Sequence, residues 1–99
     1  MRFEWDANKR RLNLAKHGVD FLDAAEMFNG LNPLLVKLDA KREYGEGRFI
    51  GVGFIKGRVM VMVFAEPKPD AVRVVSLRKA KKHEQEEFAK AIRNRLGSH

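Results

Sequence analysis

The sequence has no cysteine, which excludes a disulfide framework, a thiolate metal site and a cysteine nucleophile. Proline is confined to Pro33, Pro67 and Pro69, and there is one tryptophan and one tyrosine. That stock builds neither a proline-rich linker nor an aromatic sheet face on which bases stack. The longest stretch without a charge, Met27 to Val36, is broken by Asn29, Gly30, Asn32 and Pro33, so no membrane-spanning helix is expected. The opening Met1-Arg2-Phe3-Glu4-Trp5-Asp6 has two acids and no apolar run behind it, which does not read as a secretory signal, and the expected address is cytoplasmic. Acids are scattered and no His-x-x-x-His or Glu-x-x-His spacing occurs, so neither metal nor cofactor is expected.

What is present suits one small globular domain, with 44% hydrophobic and 33% charged residues in a chain of 99. The expected domain is 1–96; Gly97-Ser98-His99 is either native or the remnant of an expression tag and is given no functional weight. Lysine and arginine total 20 against 13 acids, a net charge of +7. Such a balance favours an anionic partner, nucleic acid before an acidic protein, against the plainer reading of a solvated basic surface.

Asp6 is placed to N-cap a helix from Ala7 to about Lys16, closed by His17 and Gly18; Lys16 and His17 put positive charge at its carbonyl end. Asp20 followed by Asp23 resembles a capping box for a second short helix with Phe21, Ala24, Ala25 and Phe28 on its apolar face. After Pro33 come strands at Leu34 to Leu38, Arg48 to Ile55 and Arg58 to Phe64, the last two joined antiparallel by a Lys56-Gly57 hairpin turn. Every residue from Val59 to Phe64 is apolar, which puts that strand in the middle of the sheet. Gly51 and Gly53 thin one face of their strand so that a helix can approach. Another strand runs from Ala71 to Leu77, and a last helix from about Ala80 to Leu96 with Phe88, Ile92 and Leu96 on one stripe. The expected fold class is α+β: two N-terminal helices, an antiparallel four-stranded sheet and a C-terminal helix, with Phe3 to Trp5 as a candidate further strand.

Three basic clusters carry the chemistry. Lys9, Arg10, Arg11 and Lys16 lie on the first helix; Arg42 and Arg48 bracket a loop with Glu43, Tyr44 and Glu46. Arg73, Arg78, Lys79, Lys81 and Lys82 run from the last strand into the last helix with no acid among them, and the free N–H groups of that helix N-terminus add to their pull on a polyphosphate backbone. Strict alternation sends Arg73 and Arg78 to opposite faces unless a bulge or the strand end intervenes. Glu84 continues the stripe of Phe88 and Ile92; a salt bridge to Arg78 is its structural reading and a general base its catalytic one. His17 and His83 invite an acid/base pair, against the simpler roles of helix-end charge and solvated position. Trp5 reads as core, and Tyr44 as loop packing against a base-stacking or proton-donating role.

The blocks Phe3-Glu4-Trp5-Asp6-x-x-Lys9-x-x-x-Asn13-x-x-Lys16-His17-Gly18-Val19-x-Phe21, Gly45-Glu46-x-Arg48-Phe49-Ile50-x-Val52-Gly53 and Arg73-Val74-Val75-Ser76-x-Arg78-Lys79-Ala80-x-x-x-Glu84 span nearly the whole chain. In them the sequence resembles the BrnT toxins of type II toxin–antitoxin systems. The resemblance implies a RelE-like fold and a ribonuclease that cuts RNA and arrests translation. It also implies a BrnA-type antitoxin whose ribbon-helix-helix domain binds operator DNA, in a heterotetramer or similar complex. Carried over by position, it points to His17, Glu46, Arg48, Arg73, Ser76, Arg78 and Glu84. Two departures stand out: Phe88 takes a helix position where an aromatic hydroxyl is usual, and Leu77 one where a small residue is common. The expected scheme is metal-independent transesterification. Arg73 and Arg78 hold the scissile phosphate, Glu46 or Glu84 draws the 2′-hydroxyl proton, Lys79 or His17 serves the leaving oxygen, and Lys79, Lys81, Lys82, Arg48 and Ser76 bind RNA. The alternative is a non-catalytic module that uses the same basic face to bind nucleic acid or an acidic protein.

Overall fold

In the computed structural model the elements follow in the order β1 (Arg2–Glu4), α1 (Ala7–His17), a 3-10 helix (Phe21–Phe28), β2 (Leu34–Leu38), β3 (Arg48–Ile55), β4 (Arg58–Ala65), β5 (Ala71–Lys79) and α2 (Lys82–Gly97). Residues 1–39 and 47–97 are described. Asp6 caps α1 by accepting the Lys9 N–H at 3.3 Å, and Gly18, at φ 69°, closes it with its N–H on the Leu14 carbonyl at 2.8 Å. Lys56 and Gly57 both take positive φ, 52° and 75°, the pattern of a two-residue turn whose twist matches the paired strands.

The strands form one mixed sheet in the order β1-β5-β4-β3-β2, with β4 central. The expected antiparallel four-stranded sheet is corrected to five strands, because Arg2–Glu4 pairs parallel with Ala71–Arg73. Three residues are too few to show an alternation, and their partner is distant in sequence, so no local turn signals the pairing. The second helix is also corrected. It is 3-10, and its buried residues Phe21, Ala24 and Met27 recur every third position, while Ala25 faces solvent. Asp20 accepts the Leu22 N–H at 3.1 Å, and Asp23 lies 3.5 Å from the Lys56 ammonium, so the pair does not form a reciprocal box. The last helix starts at Lys82 because the Ala80 N–H still bonds to the Val59 carbonyl at 3.0 Å.

One face of the sheet is the core. Met60, Met62 and Phe64 of β4 and Val72, Val74 and Leu77 of β5 meet Phe21, Ala24 and Met27 of the 3-10 helix there. Trp5 packs edge-on against Phe21, with ring centroids 6.3 Å apart. A Cβ added at Gly53 would lie 2.9 Å from the Met27 side chain, so glycine is what lets the 3-10 helix reach β3. Among the described residues no helix is long and apolar enough to cross a membrane.

Where β1 ends, α1 takes over the outer edge of β5. Asn13, only 7% exposed, donates from its amide to the Leu77 carbonyl at 2.8 Å and the Val19 carbonyl at 3.2 Å, and its Oδ1 accepts the Leu77 N–H at 3.1 Å. The side chain thus stands in for a missing strand. Asn13→Ala should cost about 3 kcal/mol and lower the Tm by about 15 °C, since three backbone groups lose their side-chain partner. Thermal unfolding followed by circular dichroism checks this; a Tm within a degree or two of wild type would contradict it.

Candidate active site

The second face of the sheet is organised by an irregularity in β5. Pairing with β4 is regular from Met60 opposite Lys79 to Val63 opposite Ser76, but Phe64 then pairs with Val74, leaving Val75 as an extra residue. A one-residue bulge reverses the alternation of side chains. Arg73 therefore shares a face with Ser76 and Arg78: of the alternatives the spacing left open, a bulge intervenes. Arg48 of β3 lies opposite Ala65, which lies opposite Arg73, so the two arginines flank one small side chain.

Over this face α2 is anchored by buried Phe88, whose ring centroid lies 5.5 Å from that of Phe54. Between α2 and the sheet runs an open groove of about 450 Å³. Val61, Val63, Ile50 and Val52 form its apolar floor, and Ser76, Arg78, Glu84, Glu87 and Lys37 supply its polar groups.

Arg78 is fixed at the rim. Its Nη1 and Nη2 donate to the two carboxylate oxygens of Glu84 at 2.7 and 2.8 Å, and Glu84 Oε1 also accepts the Lys81 N–H at 2.7 Å. Glu84 is the third residue of α2, where a glutamate turns back to cap the helix and meets the positive end of its dipole. The Arg78 hydrogen bonds, together with the Lys81 N–H and against the cost of burial, hold its carboxyl down to about 2. A carboxylate so acidic and so engaged is a poor proton acceptor, but it is a good clamp for a guanidinium.

The other residues singled out in the sequence separate. His17 lies one turn beyond Asn13 on α1, toward the end of β5; partial burial, then the charges of Lys16 and Arg78, lower its pKa from the ordinary 6.5. Arg73 Nη2 lies 3.5 Å from Glu4 Oε2 at the end of β1. Lys79, next to Arg78 on the strand, opposes core-facing Met60 and points away from the groove. Lys81, Lys82 and His83 are exposed at the start of α2. Glu46, with Arg42 and Tyr44, lies outside the described residues. Sequence reasoning missed Lys37, which pairs opposite Ile50, and Glu87, one turn past Glu84 on α2. Lys37 shares parity with Leu35, but only the register with β3 turns that parity toward Arg78.

A family model described as "Ribonuclease toxin, BrnT, of type II toxin-antitoxin system" matches residues 5–84, from Trp5 through the Arg78–Glu84 pair. The chain belongs to the BrnT family. The crystal structure of the Brucella abortus ribonuclease toxin BrnT is 30% identical in sequence and superposes with a TM-score of 0.63, covering 83% of this chain and 99% of that one. No curated protein sequence matches the chain. As a BrnT-family member the chain is a ribonuclease toxin of a type II toxin–antitoxin system, with RNA as target and an antitoxin as partner.

The clamp gives a pH-dependent contribution to stability. Because the Glu84 carboxyl falls from its ordinary 4.5 to about 2, that contribution is complete above about pH 4.5 and is lost as pH falls toward 2. Glu84→Gln should lower stability by on the order of 2 kcal/mol at neutral pH and converge with wild type in acid. Urea unfolding across that range measures both; equal stability at neutral pH would contradict the clamp.

Proposed function

We propose that this BrnT-family chain cuts RNA in the groove beside α2 by metal-independent transesterification, with Arg78 as the main phosphate ligand. The observation that carries the reading is Arg78 itself, a guanidinium that lines an open groove and is held there by a bidentate carboxylate, on the same face as Ser76, Arg73 and Arg48.

In such a cleavage the 2′-oxygen attacks the adjacent phosphorus and the bond to the 5′-oxygen breaks. One group takes the 2′-hydroxyl proton and another gives a proton to the leaving oxygen, so the products are a 2′,3′-cyclic phosphate and a 5′-hydroxyl. Arg78 and Arg73 carry the charge that develops on the phosphoryl oxygens. Glu84 positions Arg78 and leaves proton abstraction to Glu46, carried over from the family's blocks, or to His17, whose lowered pKa keeps it neutral and able to accept. Lys79 is turned away, so Lys37 is the cation left to serve the leaving oxygen or a neighbouring phosphate. Arg48, Ser76, Lys81 and Lys82 bind the RNA backbone. The fold is RelE-like in this reading. The partner is a BrnA-type antitoxin with a ribbon-helix-helix domain, the complex is a heterotetramer, operator DNA is bound through the antitoxin, and the toxin acts in the cytoplasm.

Arg78→Lys keeps the charge but loses the planar fork, and Arg78→Ala loses both. Both should fold, and cleavage should fall by about 10²-fold or more in Arg78→Ala, with Arg78→Lys between it and wild type. Induced expression without the neighbouring gene, following growth and mapping RNA ends, tests this; arrest with new RNA ends in Arg78→Ala would move the site elsewhere.

A further inference from the structure

At the same end of β5, on the side of the sheet away from the groove, lies a depression of about 320 Å³. The Gly18-Val19 segment that closes α1, the tip of the β3–β4 hairpin and the last residue of β5 surround it. Its charged groups are Lys56, Arg58, Lys79 and Asp23. Strand register brings the cations together: Ile55 opposite Arg58 closes the hairpin, and Met60 opposite Lys79 sets the end of β5 beside it. Arg58 and Met60 are two apart and share a face, so Arg58 and Lys79 project to the same side.

The cations differ in how their charge is met. Lys56 donates its backbone N–H to Glu26 at 2.6 Å and holds its ammonium 3.5 Å from Asp23, which pins the hairpin tip and neutralises the one acid facing the depression. Arg10, Arg73 and Arg78 likewise each have a carboxylate. Arg58 and Lys79 have none within ion-pair distance among the described residues. Two uncompensated cations beside a hollow this size raise the local concentration of anions. The lining is part apolar, but the charges it leaves unmet, those of Arg58 and Lys79, are both positive, which suits phosphate oxygens.

Consecutive residues on a strand point to opposite faces. Arg78 therefore enters the groove and Lys79 the depression, with only the end of the sheet between them. We propose that the depression is a second phosphate subsite for the same RNA. The strand whose scissile phosphate is held by Arg78 crosses the end of the sheet and lays a neighbouring phosphodiester against Arg58 and Lys79. This rests on the placement of cleavage in the groove. It moves the RNA-binding role expected of Lys79 from the scissile bond to this depression, and it brings Arg58 of the hairpin into substrate recognition.

The test is binding of a short single-stranded RNA, with its 2′-hydroxyls methylated to prevent cleavage, to wild type, Arg58→Gln and Arg58→Gln/Lys79→Gln over a range of salt. Each lost phosphate contact to a single strand removes about 0.7 from the slope of log K against log salt, so the double variant should lose about 1.4 and bind about tenfold more weakly near physiological salt, whatever the sequence. With cleavable RNA the loss should fall on KM, and the Tm should stay that of wild type. Unchanged affinity and slope in the double variant, while Arg78→Ala abolishes cleavage, would overturn the second subsite and leave the groove as the cleavage site. Cleavage retained in Arg78→Ala while the double variant binds weakly would overturn the placement of cleavage in the groove. A fall in kcat with binding unchanged would also overturn the subsite.

Discussion

The hold of Asn13 on Leu77 is the interaction on which the rest of the molecule turns. β1 covers only the first three residues of β5, and beyond them the outer edge of β5 would carry unpaired N–H and C=O groups. One asparagine side chain satisfies both groups of Leu77 and reaches the Val19 carbonyl as well, so α1, the segment after it and the strand are fixed together. Leu77 is fully buried, so the same residue is locked by its backbone from the edge and by its side chain from the core. Its neighbours Ser76 and Arg78 are thereby turned to the other face.

That face is shaped by two departures from regularity. The bulge at Val75 brings Arg73 round to the side of Ser76 and Arg78, which no regular strand of this sequence would do. The first turn of α2 then supplies Glu84, which does structural and chemical work at once: it caps its own helix and clamps the guanidinium. A depressed carboxyl is often taken for a sign of a catalytic acid or base. Here it marks a group committed to holding Arg78.

Much of this was legible in the residues. The strands Leu34–Leu38 and Arg48–Ile55, the Lys56-Gly57 turn, the Asp6 cap and the Gly18 stop are local signals, and the structure has them at the same residues. The family resemblance rested on Trp5, Lys16-His17-Gly18, Arg78 and Glu84, all within the segment that the family model matches. Three things were not legible. The parallel pairing of Arg2–Glu4 joins the first and last strands of the chain by a contact with no local signature. The 3-10 helix was hidden because Phe21, Ala24, Ala25 and Phe28 satisfy a period of 3.6, whereas the buried set Phe21, Ala24 and Met27 has a period of three. Lys37 was passed over because a lone lysine in a short edge strand has a face only once its register is known.

The class of the molecule was readable from its residues alone: a basic α+β domain with its hairpin and the arginine-rich run from β5 into α2. These follow from spacing, capping and turn chemistry, which act over a few residues. Tertiary structure decided which of those residues meet. The bulge, the strand order and the edge taken by Asn13 set Arg73, Ser76, Arg78 and Lys37 on one face and Lys79 with Arg58 on the other. The reason is that a strand has two equivalent faces, and only its pairing with distant strands says which one a charge will occupy.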